Sequence, residues 1–280
     1  MAATIHYIAA AYLGVRHFMD PRFVADRWYY LRSQVEMLGR LKHSLDAITF
    51  VINTDALVGV PADIASVARI IQRPNIGMSY GAYAHAFATF GDQYSHYILN
   101  EDDYLFTQDD FDTLLLKEME SRPKCELLCG TVYEHQGYPF CPAVSCMIVS
   151  SKGLEVIASH NGGSLPHHPV SVADPYGAGY ESQKRFSDGL VQAGYKVEDW
   201  LLKWSTAFRM DDHSSLCTRW FSRRGMIEGS PHRVRADFKV PAMVVSAQAV
   251  NVLHPISDGF RWHDGTIRKD GSVSFAADNA

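Results

Sequence analysis

The run Tyr97-Ile98-Leu99-Asn100 leads straight into three consecutive acids, Glu101-Asp102-Asp103, and apolar residues resume at Tyr104-Leu105-Phe106. Ionised carboxylates are almost never buried without a partner. A chain with this stretch must therefore bring a buried strand to an edge, where the acids meet either water or a cation. That requirement limits which folds are open to it.

The surrounding pattern supplies the sheet. Ile5 to Leu13 is apolar and closed by Gly14, as a buried parallel strand requires. Arg22 to Lys42 has helical spacing, with Phe23, Trp28, Leu31, Val35, Leu38 and Leu41 on one broad face. Ala47 to Asn53 is a second strand, Ala62 to Ile70 a short helix, and Ile70 to Gln72 a third strand. Ser79 to Phe90 reads as a helix of small residues, and Tyr94 to Phe106 as the fourth strand, with the acids inside it. Phe111 to Ser121 is a helix whose early acids Asp109, Asp110 and Asp112 suit the positive end of its dipole. Strands follow at Leu127 to Tyr133 and Ala143 to Ser150, then a Gly-, Pro- and His-rich loop over Asn161 to Tyr180. Glu181 to Ala193 is helical and Lys196 to Trp204 a strand, after which the pattern fades. Alternation at this rhythm means an α/β sheet, parallel at least in its first half. Ligands of such sheets bind beyond the carboxyl ends of the strands, where Asn53-Thr54-Asp55, Arg73-Pro74-Asn75 and Glu101-Asp102-Asp103 all fall.

Composition narrows the function classes. A chain of 280 residues, 47% hydrophobic, can bury the core of one large domain or of two small ones. The net charge of −5 excludes broad binding along a nucleic-acid backbone, although a local basic pocket remains open. Five cysteines, with no Cys-x-x-Cys pair, fit neither a disulfide framework nor a zinc site well, and read as small buried hydrophobes of a reducing compartment. The apolar N-terminal run lacks a basic flank and is too short to span a membrane, so a soluble, cytoplasmic protein without a transmembrane segment is expected.

Adjacent acids at a strand end suit a hard cation, magnesium or manganese, which takes its remaining ligands from water and phosphate. Here the chain resembles the GT-A glycosyltransferases, family-2-like members above all. Glu101-Asp102-Asp103 matches their Asp-x-Asp-like motif, and Arg73-Pro74-Asn75-Ile76-Gly77-Met78-Ser79-Tyr80-Gly81 matches the Asn-x-Gly stretch that precedes it. The likeness covers about residues 3 to 150 well, 175 to 204 loosely and little else. It implies a Rossmann-like, mixed and mostly parallel central sheet flanked by helices, in one domain spanning 1–280. Residues 1–150 would be the nucleotide-sugar half; 151–280 would hold the acceptor half and an irregular C-terminal extension.

The resemblance also implies roles. Ala10, Ala11, Tyr12 and Asp55 would approach the base, with Arg73, Asn75 and Gly77 near ribose or diphosphate. Asp103 would bind Mn2+ or Mg2+, with Glu101 and Asp102 serving the ribose or the metal, and His213 or His254 as a late ligand. In an inverting enzyme a carboxylate takes the proton of the acceptor hydroxyl. The acid before a late helix ending in Ala-Gly-Tyr is Glu181, with Asp174 and Asp188 as the other choices. His167 and His168 fall near the acceptor; Tyr176, Trp200 and Trp204 have the ring faces on which sugars stack. Arg219, Arg223, Arg224, Arg233 and Arg235 read as a solvated basic face.

The expected partners are thus a nucleotide sugar, a UDP-sugar first, and a glycan hydroxyl. The compact form resembles cytoplasmic glycosyltransferases of bacteria and of large algal viruses, including chlorovirus β-xylosyltransferases. That likeness brings UDP-xylose into the donor set and, for a viral protein, places it in the host-cell cytoplasm. Two other classes stay open. A nucleotidyltransferase would share the sheet and the acids but carry a glycine-rich basic loop after the first strand, where Leu13-Gly14-Val15-Arg16-His17 has one glycine. A non-catalytic carbohydrate-binding protein would need neither acids nor nucleotide.

Overall fold

A computed structural model describes residues 3–14, 25–102, 104–106, 109–129, 132–135, 138–142, 146–168 and 177–199, together with short strands between 231 and 275. Seven strands form the central sheet: β1 (Ile5–Tyr12), β2 (Ala47–Asn53), β3 (Arg69–Arg73), β4 (His96–Glu101), β6 (Cys125–Cys129), β9 (Cys146–Ser150) and β10 (Lys196–Asp199). Their order is β10-β6-β9-β4-β1-β2-β3. All run parallel except β9, which lies antiparallel between β4 and β6. The mixed, mostly parallel sheet flanked by helices is therefore what the chain forms.

Alternation along the strands builds two cores. Ile5, Tyr7, Ala9 and Ala11 of β1 face one side, with Phe50, Ile52 and Ile98. Helices α1 (Tyr29–Arg40), α2 (Ala62–Ala65) and α4 (Phe111–Glu120) cover that side through Leu31, Leu38, Ile64, Leu115 and Met119. Ile8, Ala10, Val51, Tyr97 and Leu99 face the other side. There α3 (Met78–Phe90), α5 (Ser151–Ser159) and α6 (Gly177–Gln192) pack through Tyr80, Tyr83, Leu154, Ile157, Phe186 and Leu190. Two covered faces explain why the strands read as continuous apolar runs.

Several boundaries differ from the sequence reading. The expected strand across the acids breaks at Asp102: β4 ends at Glu101, and a separate strand β5 (Tyr104–Phe106) belongs to another sheet. β5 pairs antiparallel with β13 (Val244–Ser246), so the C-terminal part of the chain returns to the segment that follows the acids. Asp112 lies in the first turn of α4 as expected, and Asp109 just before its N-cap. Their carboxylates accept hydrogen bonds from the backbone N–H of Lys42 and Ser44, at 2.9 and 2.6 Å.

Helix α5 has no counterpart among the expected elements, and Gly153 stands in its first turn, where glycine is a weak helix former. Its Cβ would lie 2.9 Å from the Glu126 carbonyl oxygen, so glycine is what lets α5 sit on β6. The N-cap hydroxyl of Ser150 accepts from Gly153 N–H at 2.8 Å and offsets that weakness. Helix α6 begins at Gly177, four residues before the expected start. Beyond β10, the described segments are strands of two or three residues.

Candidate functional site

The chain moves outward from β1 to β2 and β3, then α3 carries it back to β4 on the other side of β1. The sheet order reverses between β1 and β4, and the crevice beyond their carboxyl ends is where such sheets bind ligands. Register puts Ala10 beside Glu101, Tyr12 beside Asn53, and Asn53 beside Arg73. Asp102 N–H donates to Ala10 carbonyl oxygen at 3.0 Å. Ala10, Ala11, Tyr12, Arg73, Glu101 and Asp102 are thereby gathered at one edge.

Both described acids are buried, Glu101 at 8% and Asp102 at 3% exposure. Ser79, one residue into α3, donates its hydroxyl to Glu101 Oε1 at 2.7 Å. Arg73 ends β3. Its guanidinium donates to Asn53 Oδ1 at 2.6 Å and to Ile76 carbonyl oxygen at 2.9 Å. Burial lowers its pKa from the ordinary arginine value, and no carboxylate pairs with it among the described residues. A half-buried cation held by neutral acceptors keeps its charge for an anion.

The backbone between Arg73 and Gly81 is tight. Gly77 has φ +80° and a Cβ there would stand 2.9 Å from His167 Cβ. At Gly81 a Cβ would overlap the Ile76 carbonyl oxygen. These two glycines let the chain turn sharply into α3, so that the helix N-terminus opens at the same edge as Arg73. The dipole of that helix end favours negative charge there. Asn75 Oδ1 is buried at this turn without a hydrogen-bond partner among the described residues. Asp55 is exposed just past β2, beside Thr54, whose N–H donates to Arg73 carbonyl oxygen at 2.8 Å.

The other side of the crevice comes from 165–168 and α6. His167 packs on Gly77, and His168 N–H donates to Ser182 Oγ of α6 at 3.1 Å. Burial, reinforced by the Arg185 guanidinium, holds the His168 imidazole below its ordinary pKa, and the Glu181 carboxylate acts in the opposite sense. Glu181 precedes Ser182, the residue whose hydroxyl accepts from His168. It lies in the second turn of α6, not at its first residue. Asp188 lies two turns further along, next to Gly189, whose Cβ would lie 3.3 Å from Ile157 Cα of α5. That places it beside the helix layer. Asp103, Asp174, Tyr176, Trp200, Trp204, His213, His254 and the late arginines fall outside the described residues.

The donor set suits a hard cation in kind, since the adjacent carboxylates at the end of β4 are oxygen ligands. No group of three or more His, Cys, Asp or Glu that could hold a metal occurs among the described residues. Asn53 and Ser79 fall inside the stretches that the sequence pattern marks, but their bonds to Arg73 and Glu101 were not foreseen. Gln34 was not marked at all, although it is the one amide between Leu31 and Leu38 on an otherwise apolar helix face.

No family model and no curated protein matches the chain. Among solved structures, it is similar to a cytidylyltransferase from Leptospira borgpetersenii, with TM-score 0.45 and 10% identity over 71% of this chain and 76% of that one. It is also similar to glucosyl-3-phosphoglycerate synthase from Mycobacterium tuberculosis in complex with Mn2+, UDP and glucosyl-3-phosphoglycerate. That match has TM-score 0.44 and 14% identity over 70% of each chain. A third is CMP:2-keto-3-deoxy-manno-octonic acid synthetase complexed with CTP, with TM-score 0.44 and 12% identity over 71% and 89%. Likenesses this distant say nothing about what this chain acts on. No described helix is long and apolar enough to cross a membrane.

Proposed function

We propose that the chain is a metal-dependent glycosyltransferase that moves a sugar from a nucleotide sugar, a UDP-sugar first, to a glycan hydroxyl with inversion. One observation carries this reading. Arg73, half-buried and without an acid partner among the described residues, shares the carboxyl edge of the sheet with the buried acids Glu101 and Asp102. A cation-binding acid pair and an anion-binding arginine on one crevice suit a metal-bound diphosphate.

Each residue then has a task. Arg73 and the N-terminus of α3 hold the phosphates, and Ala10, Ala11, Tyr12 and Asp55 face the base. Glu101, Asp102 and Asp103 would hold Mn2+ or Mg2+, which supplies positive charge as the diphosphate leaves. Glu181 takes the proton of the acceptor hydroxyl. The oxygen of that hydroxyl bonds to the anomeric carbon as the carbon–oxygen bond to the diphosphate breaks, and its electron pair leaves with the nucleotide. His167 and His168 border the acceptor side. On this reading residues 1–150 bind the donor and the remainder the acceptor.

The test is calorimetric titration with UDP and GDP, each with Mn2+ and again with chelator, followed by a donor panel headed by UDP-xylose and UDP-glucose. Metal-dependent binding of UDP, and UDP release with a glycan acceptor, is the expected result. A preference for GDP would change the donor class. Pyrophosphate release from a nucleoside triphosphate and a sugar phosphate would establish a nucleotidyltransferase instead. No nucleotide binding by the folded protein would leave a carbohydrate-binding role.

A further inference from the structure

Beneath the acids lies a closed ring of buried hydrogen bonds. It starts on β4, one residue before Glu101: Asn100 Nδ2 donates to the Tyr7 hydroxyl of β1 at 2.6 Å. That hydroxyl donates to Gln34 Oε1 of α1 at 2.5 Å. Gln34 Nε2 then returns to β4, donating to the Asp102 carbonyl oxygen at 3.0 Å, with the Glu101 carbonyl oxygen at 3.5 Å. Tyr7, Gln34 and Asn100 are all fully buried.

The ring has one sense. Two carbonyls accept from the Gln34 amide nitrogen, so its oxygen must face the tyrosine hydroxyl, which in turn accepts from Asn100. Packing alone does not call for these groups. Leu31, Met37 and Leu38 fill the same helix face with apolar atoms, and a buried polar group is costly unless it is bonded, as the Tyr7 hydroxyl and both ends of the Gln34 amide are. The ring also ends on the backbone of the two residues that carry the site's carboxylates.

We propose that Gln34 is a positioning residue. From the buried face of α1 it fixes the carbonyls of Glu101 and Asp102, so that the acidic turn is held in its binding geometry before metal and nucleotide arrive. This rests on the reading of that edge as a metal-dependent nucleotide site. Tyr7 and Asn100 orient the Gln34 amide and act through it. Supporting residues of this kind typically account for about 10–100-fold in metal affinity or activity.

The test uses the full chain and three variants: Gln34→Met, which keeps the volume and removes the donor; Tyr7→Phe, which removes only the hydroxyl; and Met119→Ala on the far end of α4. Each is titrated with UDP in Mn2+ and in chelator, with GDP in parallel, and its thermal midpoint is measured without metal. Gln34→Met is expected to weaken Mn2+-dependent binding roughly tenfold or more, and Tyr7→Phe about threefold. Met119→Ala should lower the midpoint as much through its cavity and leave affinity within about twofold. A Gln34→Met protein that folds and binds within about twofold of the unaltered chain overturns the proposal and leaves the site reading standing. So does an equal loss of affinity in Met119→Ala, since stability alone would then explain it. If Gln34→Met does not fold, Tyr7→Phe decides: unchanged affinity overturns the proposal. An unaltered chain that binds neither nucleotide brings down the site reading first, and the proposal with it.

Discussion

The two ends of the parallel strands treat their polar groups differently. At the amino end, charges are paired off locally. Arg122 donates to Glu118 at 2.6 Å and to Glu198 at 2.9 Å, and Lys152 lies 3.2 Å from Glu126, which also accepts from the Ser150 hydroxyl. Asp46 accepts from Ile5 N–H at 2.7 Å, and Thr4 and Ser95 bond to each other through backbone and hydroxyl groups. At the carboxyl end, among the described residues, Arg73 has neutral partners only and Asn75 Oδ1 has none, and Leu57, Ile76 and Met78 are exposed. Met78 also holds φ +53°, a conformation costly for a side-chain-bearing residue. The amino end is tied by ion pairs, whereas the carboxyl end holds a guanidinium with neutral partners only among the described residues. Substitutions at the amino end should therefore change stability, and those at the carboxyl end binding and turnover.

The largest effect tests the carboxyl end. Glu181→Gln should lower kcat by about 10²–10⁴-fold with the thermal midpoint unchanged, as loss of a general base does. Steady-state kinetics showing kcat within a few-fold of the unaltered enzyme would transfer the role to Asp174 or Asp188.

Next comes a buried histidine at the amino end. His6 is fully buried among Phe90, Tyr94 and Tyr97, and its Nε2 lies 2.8 Å from Thr49 Oγ1. Burial, and then the charge of Arg69, pushes its pKa from 6.5 down to about 4. Between those values the unfolded chain binds the proton and the folded one does not. Its contribution is therefore fully present above pH 6.5 and is lost as pH falls towards 4, about 3 kcal/mol in all. Thermal midpoints measured from pH 7 to 4 should fall, less steeply in His6→Gln. Equal slopes in the two proteins would remove His6 from the account.

Two arginines sharpen the contrast directly. Arg73→Met should weaken UDP binding in Mn2+ by about 10–100-fold, the scale of a charge-assisted bond, with a small change in midpoint. Arg122→Met should lower the midpoint by about 3 °C, the scale of a partly buried ion pair in a chain of this size, and leave affinity untouched. Calorimetry and a melting curve on both variants would break the comparison if the two effects were exchanged.

Much of the architecture was legible because hydrophobic periodicity is local. The strands at 5–12 and 47–53 and the helix over 78–90 follow from runs and spacings within each segment. The break at Asp102 was legible in part, as a conflict between buried flanks and three acids. Helix α5 was not, since its Gly153 answers a packing requirement set by Glu126 of another strand. The antiparallel direction of β9 was equally hidden, since a buried strand reads alike in either direction.

The sequence by itself determined the α/β class, the acids at a strand end, and the stretch from Arg73 to Gly81 as places where chemistry would gather. These properties depend on neighbours a few residues away. Only the tertiary structure decided which groups meet. Arg73 is clamped by Asn53 from 20 residues away, Glu101 by Ser79 from 22, and the Asp102 carbonyl by Gln34 from 68. Those pairings come from strand order and from which helix covers which face. Both are set by the packing of the whole chain, so no local pattern encodes them.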